Sequence, residues 1–317
     1  MGLKDLFIKP STRAFFKEAR NVPGYSFFDL VHGYVYSRWP YLYISIGIGE
    51  HPLAKWFAPL AGWFNRHVTD HKKGEAAETK ITFADTYHGK VLPLETAKQL
   101  VHIHDELHVH DLEQVIPYKR ARSIIMKNPD HIVALECPCR AAREQPCLPI
   151  DVCLIVGDPF ASLIREHQPS RSRWITSDEA AAILQAEDER GHVHHAFFKD
   201  AMLDRFYAIC NCCECCCGAM QAQRNGVPML ASSGYVTQVD EDLCIGCSDC
   251  SSYCQFEALE VEDGVNTVNY EKCMGCGVCT SKCEQGALTL VLDPAKGIPL
   301  EVCSLMDKAF SIPAEVE

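Results

Sequence analysis

One cysteine pattern occurs twice near the C-terminus. Cys244-Ile-Gly-Cys247-Ser-Asp-Cys250-Ser-Ser-Tyr-Cys254 returns as Cys273-Met-Gly-Cys276-Gly-Val-Cys279-Thr-Ser-Lys-Cys283, so both copies read CxxCxxCxxxC. Each copy leads into a small residue and a short apolar strand, Ala258-Leu259-Glu260-Val261 and Ala287-Leu288-Thr289-Leu290. Asp263-Gly264 supplies a turn between strands. Cysteines grouped this way suit metal better than spaced disulfide staples.

The rest of the composition fits that reading. The chain has 317 residues, 19 of them cysteine, with 47% hydrophobic and 23% charged residues, as in a globular protein of two or three modules. The start, MGLKDLFIKPSTR, has no apolar core followed by a small-residue cleavage site. A reducing compartment, the cytoplasm, is expected. A net charge of −12 argues against nucleic acid as a partner. The charge is uneven: residues 238–291 carry ten acidic residues against Lys272 and Lys282, whereas residues 1–73 carry ten Lys or Arg against five acids. The acidic end suits docking to a basic redox partner.

In each copy, three cysteines at i, i+3 and i+6 let a loop fold around one cubane, and the fourth reaches across to the other cluster. The spacing alone also admits zinc in four-cysteine sites. The repeat closely resembles bacterial two-cluster ferredoxins over about 55 residues. That resemblance implies one [4Fe-4S] cluster on Cys244, Cys247, Cys250 and Cys283, and a second on Cys273, Cys276, Cys279 and Cys254. It also implies a βαββαβ-like domain and one-electron transfer. One departure stands out: those ferredoxins usually have proline after the fourth cysteine, where this chain has Gln255 and Glu284.

A second group of thiols lies upstream. Residues 210–218 read CNCCECCCG, with Cys210, Cys212, Cys213, Cys215, Cys216 and Cys217. Residues 136–153 add Cys137, Cys139, Cys147 and Cys153. These ten exceed any one ordinary metal site. In Cys137-Pro138-Cys139 both side chains reach one cluster only if the backbone turns at Pro138. Alternation favours Cys210, Cys212 and Cys215 as ligands over Cys213, Cys216 and Cys217. Arg140 and Arg143 can offset thiolate charge, and Gly218 admits close backbone approach. One or two further iron–sulfur clusters are expected here, with zinc and metal-free redox thiols as the alternatives. The order CxCR, CxPxxVC, CNCCxCCCG, two-cluster ferredoxin is similar to that of cytoplasmic 4Fe-4S binding proteins of anaerobic bacteria and archaea. That resemblance covers about residues 130–291 and names an architecture, not a reaction. Cys303 is left over.

The remaining sequence organises into an α+β chain. Residues 1–80 form an aromatic-rich basic docking segment, holding 15 of the 29 aromatic residues before position 65. Its longest uncharged apolar-rich run, Tyr41 to Gly49, is far short of the roughly 20 residues of a membrane span. Trp39, Trp56 and Trp63 with flanking basic residues suit a partner subunit, a membrane interface contacted through residues 1–73, or the segment's own core. Residues 74–80 read as a linker. Residues 81–237 form the mixed α/β cysteine-rich module, 238–292 the ferredoxin domain and 293–317 a tail.

Within the cysteine-rich module, helices are predicted over 94–116, 115–127, 158–167 and 177–190. The last has Thr176 and Glu179 as a capping box and Gly191 as its stop. Strands are predicted over 131–136 and 192–198, the latter with surface histidines. His104 and His108, four apart, would share a helix face; with His102 and His110, a solvated polar face is expected rather than a metal pair.

No GxGxxG, GKS or GKT motif is present. The expected function is therefore electron transfer as a subunit of an oxidoreductase, relaying electrons between partner proteins through the ferredoxin and the additional thiol site. The alternative is a reductase of a disulfide or similar substrate at an unusual cluster on the ten non-ferredoxin cysteines.

Overall fold

The computed structural model describes residues 8–55, 81–110 and 112–311, with side chains to 307. Trp56, Trp63 and the expected linker 74–80 lie outside the described residues. The N-terminal segment forms three helices, α1 (Pro10–Ala19), α2 (Phe27–Arg38) and α3 (Pro40–Gly47). Ser26 and Asp29 close a capping box at the start of α2, and Pro40 opens α3. A short helix α4 (Phe83–Thr86) leads into β1 (Tyr87–Leu92), α5 (Leu94–Val101), β2 (Leu107–Val109), β3 (Ile124–Leu135) and α6 (Pro138–Ala141). There follow β4 (Cys153–Asp158), α7 (Phe160–His167), β5 (Ser172–Ile175), α8 (Ser177–Glu189), β6 (Val193–Lys199), β7 (Arg205–Cys212), α9 (Gly218–Arg224) and β8 (Leu230–Ala231). The last stretch holds β9 (Tyr235–Val239), α10 (Asp249–Ser252), β10 (Leu259–Glu262), β11 (Val265–Val268), α11 (Val278–Lys282), β12 (Leu288–Leu292) and α12 (Val302–Ser311).

Eight strands make one sheet in the order β2-β3-β4-β7-β6-β1-β8, with β5 also paired to β3. Its pairs are antiparallel except β1 with β8. Side chains alternate between two buried faces, as the pleat requires. Ile132, Ala134, Leu154, Val156 and Phe198 face a core that also holds Leu100 from α5, Leu184 from α8 and Leu305 from α12. Val133, Leu135, Cys153, Ile155 and Phe197 face a second core with Phe15 from α1, Tyr36 from α2 and Phe160 from α7. Residues 8–55, the described part of the aromatic N-terminal segment, thus fold onto the sheet, leaving Phe27 and Phe28 exposed.

The C-terminal cysteine repeats form two small sheets. Strand β9 pairs with β12, and β10 with β11, both antiparallel. Strand β9 begins at Tyr235, three residues before the expected boundary at 238. The expected tail is also structured: Leu300, Val302 and Leu305 enter the main core.

Several local expectations are corrected. Helix α5 ends at Val101, and residues 107–109 are a strand, not the end of a helix to 116. Leu107 and Val109 are buried while His108 and His110 are exposed, a period of two that the helical reading missed. His104 lies in a loop and His108 on β2, so they share no helix face; His104 contacts Asp130 at 2.6 Å. No helix covers 115–127: Pro117 cannot continue one, Ala121 has φ +51°, and β3 begins at Ile124. The strand expected at 131–136 is the second half of β3. Thr176 caps α8 by accepting the Glu179 N–H, but the Glu179 carboxylate pairs with Arg173, leaving the box half made.

The histidines expected at the surface on 192–198 are buried: His192, His194 and His195 lie on or beside central strand β6, covered on both faces. His194 Nδ1 meets Asn211 Oδ1 at 2.6 Å. Burial pushes His195 down to about 3.

Candidate metal centres

The loops of the cysteine repeats are shaped by glycine. Gly246 and Gly275, the x-G of each CxGC, have φ of +62° and +64°. A Cβ there would stand 2.3 Å from Gly264 O and 2.1 Å from Tyr235 O, so only glycine lets each loop close. The loops then present their thiols in two crossed groups. Cys254 lines one cavity with Cys273, Cys276 and Cys279. Cys283 and Cys247 neighbour Cys250.

Hydrogen-bond donors converge on these sulfurs. Ala258 N–H points to Cys254 Sγ and Ala287 N–H to Cys283 Sγ, each at 3.3 Å. Asn266 donates its backbone N–H to Cys244 at 3.4 Å and its side-chain amide to Cys250 at 2.9 Å. Thr237 Oγ1 lies 3.2 Å from Cys279. Donors aimed at sulfur stabilise thiolates and tune iron–sulfur clusters, so the residues fit such groups.

Residues 243–288 match the family model of the 4Fe-4S dicluster domain. This stretch is a ferredoxin-type 4Fe-4S domain with capacity for electron transfer, and a dicluster domain takes two clusters. No curated protein matches the chain.

The ferredoxin domain presents its two quartets differently. In the first, Cys247 is exposed and Ile245 beside it is 65% exposed. The second faces the cysteine-rich module. Val278, next to Cys279, packs with Val91 and Val193, and Cys276 lies against the same cluster. Ser233 Oγ donates to Gly275 O at 2.7 Å, Ser281 Oγ to Asp188 Oδ2 at 2.9 Å, and Lys282 Nζ to Glu189 O at 2.8 Å. Gln255 explains one departure from the usual ferredoxin pattern. Its Oε1 accepts the Glu214 N–H at 2.9 Å, tying the Cys254 loop to the CNCCECCCG turn. A proline side chain has no oxygen to make that bond.

The ten other cysteines divide into two groups. Eight line a chamber on the second face of the sheet; six of these, Cys137, Cys139, Cys153, Cys210, Cys212 and Cys217, form the first group, and Cys213 and Cys216 reach the wall from the second. Cys137 follows β3 and caps α6; with Pro138 at the first helical position the backbone turns, and both Cys137 and Cys139 reach the chamber. Cys153 opens β4, 3.3 Å from Cys210. Cys210 and Cys212 are two apart on β7 and share a face. Cys217 caps α9 and lies 3.2 Å from Cys212. Tyr36, Tyr87, Tyr207, Ile44 and Met202 wall the chamber, which measures about 60 Å³.

The other four form a tight group: Cys147, Cys213, Cys215 and Cys216, whose Sγ atoms all lie within 4.8 Å of one another. This partition cuts across the ranking from alternation, because β7 ends at Cys212 and alternation ends with it. Residues 214–216 are a turn. Arg143 holds that turn by donating to Cys216 O at 3.1 Å and Gln221 Oε1 at 2.6 Å, and it pairs with Glu50. Gly218 makes a close approach to the residue that follows α3, where a Cβ would meet Ile48 Cγ2 at 2.5 Å, and it also stands beside a chamber thiol, with Cys139 Sγ 4.0 Å from that Cβ position.

Arg140, expected to offset thiolate charge, is fully buried beside the chamber, with Glu187 as its carboxylate partner at 2.6 Å. It also donates to Pro149 O at 2.5 Å and Asn211 O at 3.0 Å. Glu187 in turn accepts from His192 at 2.7 Å. Burial works against ionised Glu187, but the His192 hydrogen bond and the Arg140 charge outweigh it and hold its pKa low. No periodicity in the sequence signals this network, since its members come from α6, α8 and the approach to β6.

Among the described residues, no helix is long and apolar enough to cross a membrane. Cys303 is exposed and stands apart from both groups.

Proposed function

We propose that this protein is an electron-transfer subunit of an oxidoreductase, in which the ferredoxin domain serves an additional iron–sulfur centre held by the six chamber cysteines. The carrying observation is spatial order. The first quartet, Cys244, Cys247, Cys250 and Cys283, includes the exposed Cys247 and lies on an acidic domain where a redox partner can dock. The second quartet, Cys254, Cys273, Cys276 and Cys279, abuts the module, and Gln255 joins it to the turn that follows Cys212.

The chamber fits an iron–sulfur centre by its donors: eight cysteines around an apolar cavity, six of them outside the tight group of four, with no histidine or carboxylate on its wall. When bound, such a centre supplies one-electron transfer at a potential set by burial and hydrogen bonding. The chain supplies the rest. Arg140 stands beside the thiolates with its charge balanced by Glu187, and Tyr36, Tyr87 and Tyr207 exclude bulk water.

The second reading, a reductase acting at the chamber, draws on a different feature. Tyr36 and Tyr207 pair their hydroxyls at 2.9 Å within the cavity wall, and Lys199 lies over the Tyr36 and Tyr87 rings. Burial lowers Lys199 to about 8. These are proton-bearing groups near the thiols. An EPR signal perturbed by added disulfide would favour this reading over a relay.

Full-length protein purified anaerobically should contain about eight irons from the ferredoxin domain and about four or more beyond them. Cys153→Ser should remove only the additional iron. A count of about eight that Cys153→Ser leaves unchanged overturns the chamber assignment.

A further inference from the structure

Close thiol pairs occur in the chamber, 3.2 Å for Cys212 and Cys217 and 3.3 Å for Cys153 and Cys210, but among the described residues only in the four-thiol group are all the sulfurs mutually close. Four thiolates bonded to one metal ion at about 2.3 Å stand about 3.8 Å apart in a tetrahedron. Four thiolates on a cubane each bind a different iron, so they stand farther apart, at roughly 6 Å. Cys215 Sγ lies 3.1 Å from Cys147, 3.4 Å from Cys213 and 3.5 Å from Cys216. All four lie within 4.8 Å of one another, the one such group of metal-ligating side chains among the described residues. Neither ferredoxin quartet is contracted in this way. The ferredoxin loops therefore act as an internal reference for a cubane-sized site, and the four-thiol group is too small to be another.

The geometry points to a mononuclear tetrahedral site on Cys147, Cys213, Cys215 and Cys216, taking one thiophilic divalent ion, zinc by its chemistry. This deepens the proposed function, because it withdraws four of the ten thiols from cluster binding and leaves six. Four thiolates fill a tetrahedral ion completely, so the site is closed and structural rather than catalytic. Glu214, in the middle of the turn, is not a fifth donor: its carboxylate pairs with Arg224.

The position of the site gives it a task. Cys213, Cys215 and Cys216 belong to the turn between Cys212 and Cys217, both of which line the chamber. Cys147 comes from the loop between α6 and β4, which carry Cys139 and Cys153. One ion on these four sulfurs pins the two loops that deliver the chamber ligands. Arg143 and the Gln255 contact brace the same turn.

Metal content and X-ray absorption of the full-length protein, expressed with zinc and iron both supplied, test this assignment. The expected result is one zinc per chain with four sulfurs at about 2.3 Å and no metal neighbour. One iron in an isolated four-sulfur shell supports the same mononuclear site. Cys147→Ser with Cys216→Ser should lower this ion about tenfold while the ferredoxin iron and sulfide stay unchanged. Should the double variant fail to fold, cobalt supplied to the parent protein should give thiolate-to-cobalt charge-transfer bands of a tetrahedral site.

A metal-free quartet in the replete parent overturns the assignment. So does a [4Fe-4S] EPR signal that disappears with Cys147→Ser alone. Cys153→Ser keeps the two readings apart, since failure of the chamber cluster shows in iron and leaves the single-ion count untouched.

Discussion

Glu187 is 0% exposed and Arg140 1%, and their 2.6 Å contact sits behind the chamber. Replacing one partner of a buried ion pair costs about 3–5 kcal/mol, because the other charge is left uncompensated. Glu187→Gln keeps an oxygen for Arg140 Nη2 and His192 Nδ1, so its cost belongs at the lower end, about 3 kcal/mol. Glu187→Ala removes both acceptors and belongs at the upper end, about 5 kcal/mol. At roughly 2–4 °C per kcal/mol for a chain of this order, Gln should lower the melting temperature by about 6–12 °C. The effect should not be confined to stability. Arg140 also donates to Pro149 O and Asn211 O, and so joins the loop before Cys153 to β7. Iron of the proposed chamber centre should therefore be lost to a chelator faster in both variants. Circular dichroism at one scan rate, with iron release measured alongside, reads both consequences. Melting within about 2 °C of the parent for both variants, or Ala no worse than Gln, would refute this account of the pair.

Gln255→Ala removes the bond to Glu214 N–H without touching a thiol, so iron content should hold while reduction of the chamber centre through the ferredoxin domain slows in stopped-flow traces; unchanged rates count against the tether. Gly275→Ala forces a Cβ to 2.1 Å from Tyr235 O at φ +64°. The backbone cost alone is about 1–2 kcal/mol, and the second ferredoxin quartet should lose its iron; a full complement in that variant sinks the closure argument. Burial pushes His88 down to about 4, against the Ala84 and Ala121 carbonyls that favour the protonated ring. Its folded-state value lies below its unfolded value near 6.5, so its contribution is complete above about pH 6.5 and is lost as pH falls towards 4, up to about 3 kcal/mol. His88→Phe, stacked between Tyr118 and Phe198, should flatten the melting-temperature slope across that window; equal slopes would rule this group out.

The ferredoxin domain was legible because its signal is local. Two identical spacings within residues 244–283 state both the loops and their ligand type. Helices α7 and α8 were legible for the same reason, through apolar periodicity and the Thr176 cap. What failed depended on distant segments. His194 and His195 look like surface residues until β6 is known to lie between β7 and β1. The helical reading of 107–127 fell to Pro117 and to a period of two that spans only Leu107 and Val109. The division of the ten thiols into six and four was illegible, since neighbours such as Cys212 and Cys213 part company where β7 ends. Gln255 showed in the sequence only as a missing proline; its partner, Glu214, lies 41 positions away.

Helix α12 returns to the core that β2 and β3 share, and Lys90 Nζ donates to Ile298 O at 2.8 Å just before it. The ferredoxin domain is therefore an insertion, clamped to the module where it leaves and again where it comes back. A domain on a single flexible linker searches a volume and meets its target at an effective concentration set by linker length. This one has no such volume to search. Its turnover would not be limited by a swinging arm, and lengthening a linker would not tune it. On the proposed function, what can vary is which protein arrives at the acidic outer end, so specificity for the electron donor or acceptor would be decided there and not by internal motion.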